Sequence, residues 1–414
     1  MPSQARSKSM IARKIAVLAV ASTVAVSAAM SSFSAITQAS NPAFSLRANP
    51  DNPVALVWQA DADIERAAKE GRSIAPIATQ ARRSLAAQAL NPSALRQLAY
   101  VASEQGDQKH ARELIALSTR LSRRDFGARL WLIEDAVARG DIAGALRHYD
   151  IAFRTSSKSA EVLFPTLTAA LDDPAIRAAF VPYMKASPPW LPAFLADAIG
   201  RSSNPAALAL LGIEAHRFPS SAAYPDLDLR LLEALILKRQ YGAARDFFLS
   251  TGQRDPSLLA DARLRAPGQG SPFDWQVFDE AAFGASRGNT GGIAIFANAG
   301  EQGLVARKLL YLKGGTYRLN VSFNAVSLAD KGFVQLRMIC LATQSLPVIW
   351  TSELLRPVEG ANLSANVSVA GTCPVQSLEI VAGGGDGQVG SELEIGRIGL
   401  HAVSPGIQAS APGI

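Results

Sequence analysis

Gly284-Ala-Ser286-Arg-Gly288 spells the Gly-x-Ser-x-Gly pattern that presents a serine nucleophile, and Asp330 or Asp386 and then His401 follow in the order of an α/β-hydrolase triad. That chemistry needs a strand before the serine and a helix after it, in a parallel sheet, whereas Asn289-Thr-Gly-Gly and a strand pattern follow here. A glycine-rich turn is the expectation, with a serine hydrolase as the lesser alternative. Gly385-Asp-Gly387-Gln-Val-Gly390 fits the dinucleotide fingerprint in letters but opens no helical pattern, so a hairpin loop and no cofactor are expected. Asp386 with carbonyls between Val381 and Gly390 would suit a structural Ca²⁺, yet a single carboxylate is thin for a cage, and no metal is expected.

Other residues speak for binding rather than catalysis. Among Trp275, Phe278, Phe283, Tyr311, Tyr317 and Trp350, Tyr317 shares the parity of the apolar Leu319 and Val321, which leaves Trp275 and Trp350 as the rings to stack on a sugar's C–H face. The only cysteines, Cys340 and Cys373, are 33 positions apart and the four histidines are scattered, which excludes zinc-finger and redox motifs. In an oxidising compartment the two thiols would pair if their strands are neighbours; two separately buried thiols are the alternative. Lys109, Arg112, Arg120, Arg123, Arg124 and Arg129 form a basic segment, and Arg120, Arg123 and Arg124 are the candidates for contact with an anionic partner. The plainer reading is solvated arginine beside Glu104, Glu113, Asp125 and Glu134.

The elements that must hold these residues fall into two kinds. Arg6, Lys8, Arg13 and Lys14 precede the charge-free Ile15 to Met30, and no acidic residue appears before Asp51, as in a signal peptide or signal anchor over 1–46. Cleavage after Ala28 or Ala39 and retention in the inner membrane both fit, and either places the rest outside the cytoplasm. From Pro53 to Pro256, Leu and Ala recur at helical spacing. Gly106-Asp107 and Ala111 return 34 positions later as Gly140-Asp141 and Ala145, the tetratricopeptide period, although Pro174 replaces the next glycine. Asn52-Pro53 and Asn91-Pro92 read as caps with proline opening the helix.

Composition changes near residue 255. A Pro/Gly linker over 256–272 leads to runs with a period of two, near 274–278, 292–297, 305–312, 316–325, 333–341, 347–353, 362–369, 376–382 and 392–402. The fold class expected is multidomain, α then β: a TPR-like α-helical solenoid over 50–255, then an antiparallel, jelly-roll-like β-sandwich over 273–404 and a flexible tail over 405–414. At 48% hydrophobic and 18% charged the chain can bury such cores, and no apolar run after residue 40 is long enough to span a bilayer. Residues 271–403 hold nine Lys and Arg against eleven Asp and Glu, a balance of −2, so with a net charge of +6 the remainder carries +8.

The export segment, the Asn-Pro-led helices with Gly-Asp turns, the Ser122-Arg-Arg-Asp125 step, Pro272-Phe-Asp-Trp275 opening the β-region, and Cys340 with Cys373-Pro374 resemble the tetratricopeptide proteins associated with exopolysaccharide synthesis and export in Gram-negative bacteria. The resemblance implies a periplasmic or membrane-anchored scaffold whose β-sandwich is carbohydrate-binding-like. It transfers no ligand residue. The function expected is a non-enzymatic adaptor whose array binds an envelope protein complex and whose sandwich touches polysaccharide or protein. A dedicated carbohydrate-binding module is the alternative; nucleic acid is disfavoured by the export signal.

Overall fold

The computed structural model describes residues 22–216, 218–219, 221–253, 272–288, 291–386 and 388–403. Much of the export segment, all of the expected linker but Pro272, and the expected tail beyond Val403 lie outside the described residues. The chain divides into two compact units, Met1–Leu167 and Thr168–Ile414. The expected change from helix to strand near 255 falls inside the second.

The first unit is helical: α1 over 22–37, α2 Pro42–Ala48, α3 Pro53–Glu70, α4 Ile77–Ala87, α5 Pro92–Glu104, α6 Gln108–Leu121, α7 Phe126–Ala138, α8 Ile142–Thr155 and most of α9 Ser159–Ala170. Among the described residues no helix is long and apolar enough to cross a membrane. Local chemistry sets the boundaries. Gly106 and Gly140 take φ of +86° and +69°, a region open to glycine at no steric cost, so the chain reverses. The next residue caps the following helix: Asp107 accepts from His110 N at 3.0 Å, and Asp141 from Gly144 N at 2.8 Å. Asn52 and Asn91 cap α3 and α5 in the same way, each with proline at the first turn. Close helix approach is built on small residues: Ala99, Ala111, Ala128 and Ala136 are fully buried, and Ala99, Ala102 and Ala111 cluster with Ile115 and Trp131.

The second unit continues with α10 Pro174–Ala186, α11 Leu191–Arg201, α12 Pro205–Ala215, α13 Leu227–Leu237 and α14 Tyr241–Ser250. At the irregular Pro174 the helix does not fail: Asp173 caps α10 through Ala175 N, and proline occupies the first turn, where its missing N–H costs nothing.

Ten strands follow: β1 Gln276–Val277, β2 Phe283–Arg287, β3 Ile293–Ala297, β4 Gln302–Leu310, β5 Gly315–Ser327, β6 Phe333–Cys340, β7 Val348–Thr351, β8 Asn362–Val369, β9 Gln376–Gly383 and β10 Ser391–Ala402. They form two antiparallel five-stranded sheets, β1-β4-β9-β6-β7 and β2-β3-β10-β5-β8. Nine match the runs read from period-two alternation. The tenth, β2, is the segment expected to be a glycine-rich turn. Gly284 sits there because a Cβ would meet Phe296 and Asp279, so close cross-strand contact, not turn formation, is what this glycine serves. The core between the sheets contains Ile295, Leu319, Val321, Phe323, Leu336 and Ile398. Strand alternation therefore leaves the opposite residues of each strand on the outer faces.

Candidate functional site

The outer face of the second sheet combines a groove with a polar surface. Register aligns Ser286, Ala294, Glu394 and Ala325 in one row across β2, β3, β10 and β5, and Gly284, Phe296, Glu392 and Ser327 in the next. These rows line a groove of about 450 Å³, with Glu359 from the loop before β8 at its side. That volume lies in the range of small-ligand sites. Beside the groove β10 shifts register around Gly396, where a Cβ would strike Asn324, and Gly288 lets Glu394 pack closely, since a Cβ there would strike its carboxylate. Glu394 is buried, whereas Glu392 is exposed.

Beyond the groove the same face carries a carpet of serine and asparagine. Cross-strand rows place Arg397, Ser322 and Asn362 together, then Asn320 with Ser364, then His401, Arg318 and Asn366. Arg318 Nε donates to Ser364 Oγ at 2.9 Å, and that hydroxyl donates to Asn320 Oδ1 at 2.9 Å. Amides, hydroxyls and carboxylates at strand spacing can donate to and accept from a hydroxyl-rich ligand, and the half-buried Phe296 offers an apolar edge.

The triad of the lesser, serine-hydrolase alternative does not assemble. Ser286 lies level with Glu394, and His401 lies seven residues farther along β10, about 23 Å away at ~3.3 Å per residue. Asp330 and Asp386 are engaged elsewhere: Lys331 Nζ stands 2.6 Å from Asp386, and Arg356 3.6 Å from Asp330. The hydrogen bond to Asp386 raises the Lys331 ammonium above its ordinary value. The Gly385–Gly390 stretch joins β9 of one sheet to β10 of the other, so the expected hairpin is instead a crossover; Gly387 lies outside the described residues. Among the described residues no cluster of His, Cys, Asp and Glu is placed to hold a metal.

Of the two rings expected to stack on a sugar, Trp275 is enclosed and needs correction, while Trp350 keeps a partly exposed face. Trp275 is 8% exposed within the sandwich core, and Trp350, opposite the buried Met338 on β7, packs half-buried against the same core. Cys340 and Cys373 are joined by a disulfide, with Cα atoms 5.8 Å apart. It ties the end of β6 to the approach to β9, its neighbour in the first sheet.

In the helical unit, Arg120, Arg123 and Arg124 are exposed at the end of α6 and in the turn before α7, and form no ion pair among the described residues. Two of the four acids proposed as their neighbours are occupied. Asp125 caps α7 and stands 2.9 Å from Arg96 Nε, while Glu104 accepts from Ser73 Oγ and Ile74 N. Burial disfavours the charge on Arg96, but Asp61 and Asp125 outweigh it and raise the guanidinium above its ordinary value. Burial pushes Tyr100 up to about 12. Arg129 is buried, with no hydrogen bond or ion pair among the described residues; burial first, and then Arg123, lower its pKa. An excess of cationic charge thus sits around the α6–α7 turn.

Phe296, Glu392 and Glu394 were not singled out by sequence reasoning. Their signal was parity: Glu392 and Glu394 alternate with Leu393 and Ile395, and Phe296 with Ile295 and Ala297.

No family model and no curated protein matches the chain. Solved structures with some likeness include a CBM4 structure, 8% identical, covering 36% of this chain and 99% of that one at a TM-score of 0.27. Another comprises the CBM22-1–GH10 modules of Clostridium thermocellum xylanase 10B with xylohexaose, 16% identical, covering 37% and 30% at 0.24. A third is the C-terminal family 22 carbohydrate-binding module of the same xylanase, 12% identical, covering 36% and 98% at 0.24. At those scores the likeness carries no argument about what this chain binds.

Proposed function

We propose that the chain is a non-enzymatic adaptor of the bacterial envelope: a TPR-like helical array holds a partner protein of an exopolysaccharide assembly, and the β-sandwich binds the polysaccharide. The groove on the outer face of the second sheet is the observation that carries the glycan half. Its carboxylates, small floor residues and adjoining Ser/Asn carpet suit a hydroxyl-rich chain better than an apolar ligand. The separation of Ser286 from His401 favours binding over hydrolysis. Arg120, Arg123 and Arg124, which form no ion pair among the described residues, support an electrostatic contact between the array and an acidic partner surface.

The basic, then apolar N-terminus supports periplasmic residence. Within it, Ser34 is fully buried, shares a 2.7 Å hydrogen bond with Ser45 Oγ and accepts from Asn52 Nδ2 at 2.9 Å. Cleavage after Ala39 would strip that network, so Ala28 is the better processing site if the segment is cut. A glycan array probed with the full chain tests the reading. Binding to acidic or neutral polysaccharides, lost in Phe296→Ala and in Glu392→Gln, supports it; no glycan retained, or retention unchanged in both variants, removes the sandwich from polysaccharide binding. A pull-down from membranes separates the adaptor, which brings down assembly proteins, from a dedicated carbohydrate-binding module, which does not.

A further inference from the structure

Sheet edges carry unpaired N–H and C=O groups, and proteins guard them by keeping them short or by placing charge, proline or a bulge there. Three of the four edges here are short: β1 has two residues, β7 four, and β2 five including Arg287. The fourth, β8, runs for eight residues with an unbroken register against β5. It contains no proline, and no charged side chain occurs from Gly360 to Leu378. Among the described residues, no backbone hydrogen bond reaches β8 apart from its ladder with β5.

An apolar side chain stands exposed on the approach to this edge. The crossover from β7 to β8 presents Val358 at 72% exposure. Hydrogen bonds from Gly360 N to Phe323 O and from Phe323 N to Ala361 O lead it directly into β8. The charges on that crossover, Glu353, Arg356 and Glu359, are of mixed sign.

We propose that β8 is a dimer seam, pairing antiparallel with β8 of a second copy of this chain so that the second sheet continues across a two-fold axis. The strand is suited to its own copy. Asn362, Ser364, Asn366 and Ser368 alternate with inward Leu363, Ala365, Val367 and Val369. Any antiparallel register that keeps the core face inward therefore sets Asn and Ser against Asn and Ser, neutral pairs that can hydrogen-bond without the self-repulsion a charged edge would meet across a two-fold. The exposed Val358 would add apolar burial to the strand pairing.

Sedimentation velocity on the full chain at tens of micromolar, with circular dichroism melts as the folding control, tests the seam. The wild type is expected at twice the 43.7 kDa chain mass. Asn366→Lys and Asn366→Asp should each weaken self-association by about fivefold or more, because like charges then face each other across the seam. An equimolar mixture of the two should regain the dimer. A monomeric wild type, a dimer indifferent to both folded variants, or a mixture that stays monomeric would overturn the proposal, the second outcome placing the dimer contact elsewhere.

Discussion

Opening the Cys340–Cys373 bridge is expected to cost the sandwich a definite share of its stability. The two cysteines are 33 residues apart in sequence. In the chain-entropy picture, removing a crosslink over such a loop returns about 12.5 cal/mol/K to the unfolded chain, about 3.7 kcal/mol at 25 °C. Reduction leaves both sulfurs in place, at 4% and 3% exposure, so it isolates that entropic share. Replacing both cysteines by alanine also empties two small buried volumes, which adds about 1 kcal/mol. For some 130 residues of sandwich the entropic share corresponds to a fall of roughly 10–20 °C in melting temperature. The assay is thermal unfolding followed by tryptophan emission, since Trp275 and Trp350 both pack on the sandwich core and report its opening. Melts would be taken oxidised, reduced, and for the double alanine variant, with alkylation and mass measurement to establish the thiol state. A reduced, fully alkylatable protein that melts within about 2 °C of the oxidised one would refute the entropic reasoning.

The groove should respond to single substitutions: Phe296→Ala and Glu392→Gln are expected to weaken oligosaccharide binding by about tenfold each, read by titration calorimetry, with melting temperature little changed. Tyr100 gives a pH dependence. Its folded pKa of about 12 stands above the ordinary 10.0, so its contribution is complete below pH 10 and is lost as pH rises towards 12. Urea midpoints should therefore fall over that window, and Tyr100→Phe, which cannot ionise, should flatten the fall. Reversing Arg120, Arg123 and Arg124 to glutamate together should abolish capture of the partner from membranes at low salt without altering the helical circular dichroism signal; unchanged capture would move the contact elsewhere on the array.

Legibility in the sequence tracked locality. Gly106-Asp107 and Gly140-Asp141 carry their whole reason within four residues, a left-handed turn and a cap, so these turns could be read, and they are present. Nine strands were visible because alternation is also local. β2 was not, since Phe-Gly-Ala-Ser-Arg has the small residues of a turn, and its strand conformation depends on pairing with β3. The disulfide was left open because it requires β6 beside β9, a neighbourhood no local pattern states. Trp275 misled for a related reason: an aromatic residue reads alike whether a sheet covers it or solvent does, and here the core encloses it. The groove escaped because its floor joins β2, β3, β10 and β5, strands whose order in the sheet differs from their order in the chain.

A two-fold seam at β8 has a consequence for how a polymer would be held. Strand order would run β2-β3-β10-β5-β8 and back through the second copy, so the two β10 strands would lie five strand spacings apart, about 24 Å at ~4.8 Å each. Both grooves and both Ser/Asn carpets would then belong to one continuous face. A long polysaccharide could engage the two grooves together, and the second contact would form at the high effective concentration set by the first. A short oligosaccharide could engage only one. Asn366→Lys alone and its equimolar mixture with Asn366→Asp should therefore bind a short oligosaccharide alike, while the variant alone should retain the polymer on a surface about a hundredfold more weakly than the mixture. Equal losses for both ligands would mean that Asn366 acts within a single groove, and the coupling of dimer to polymer would be wrong even if the dimer itself forms.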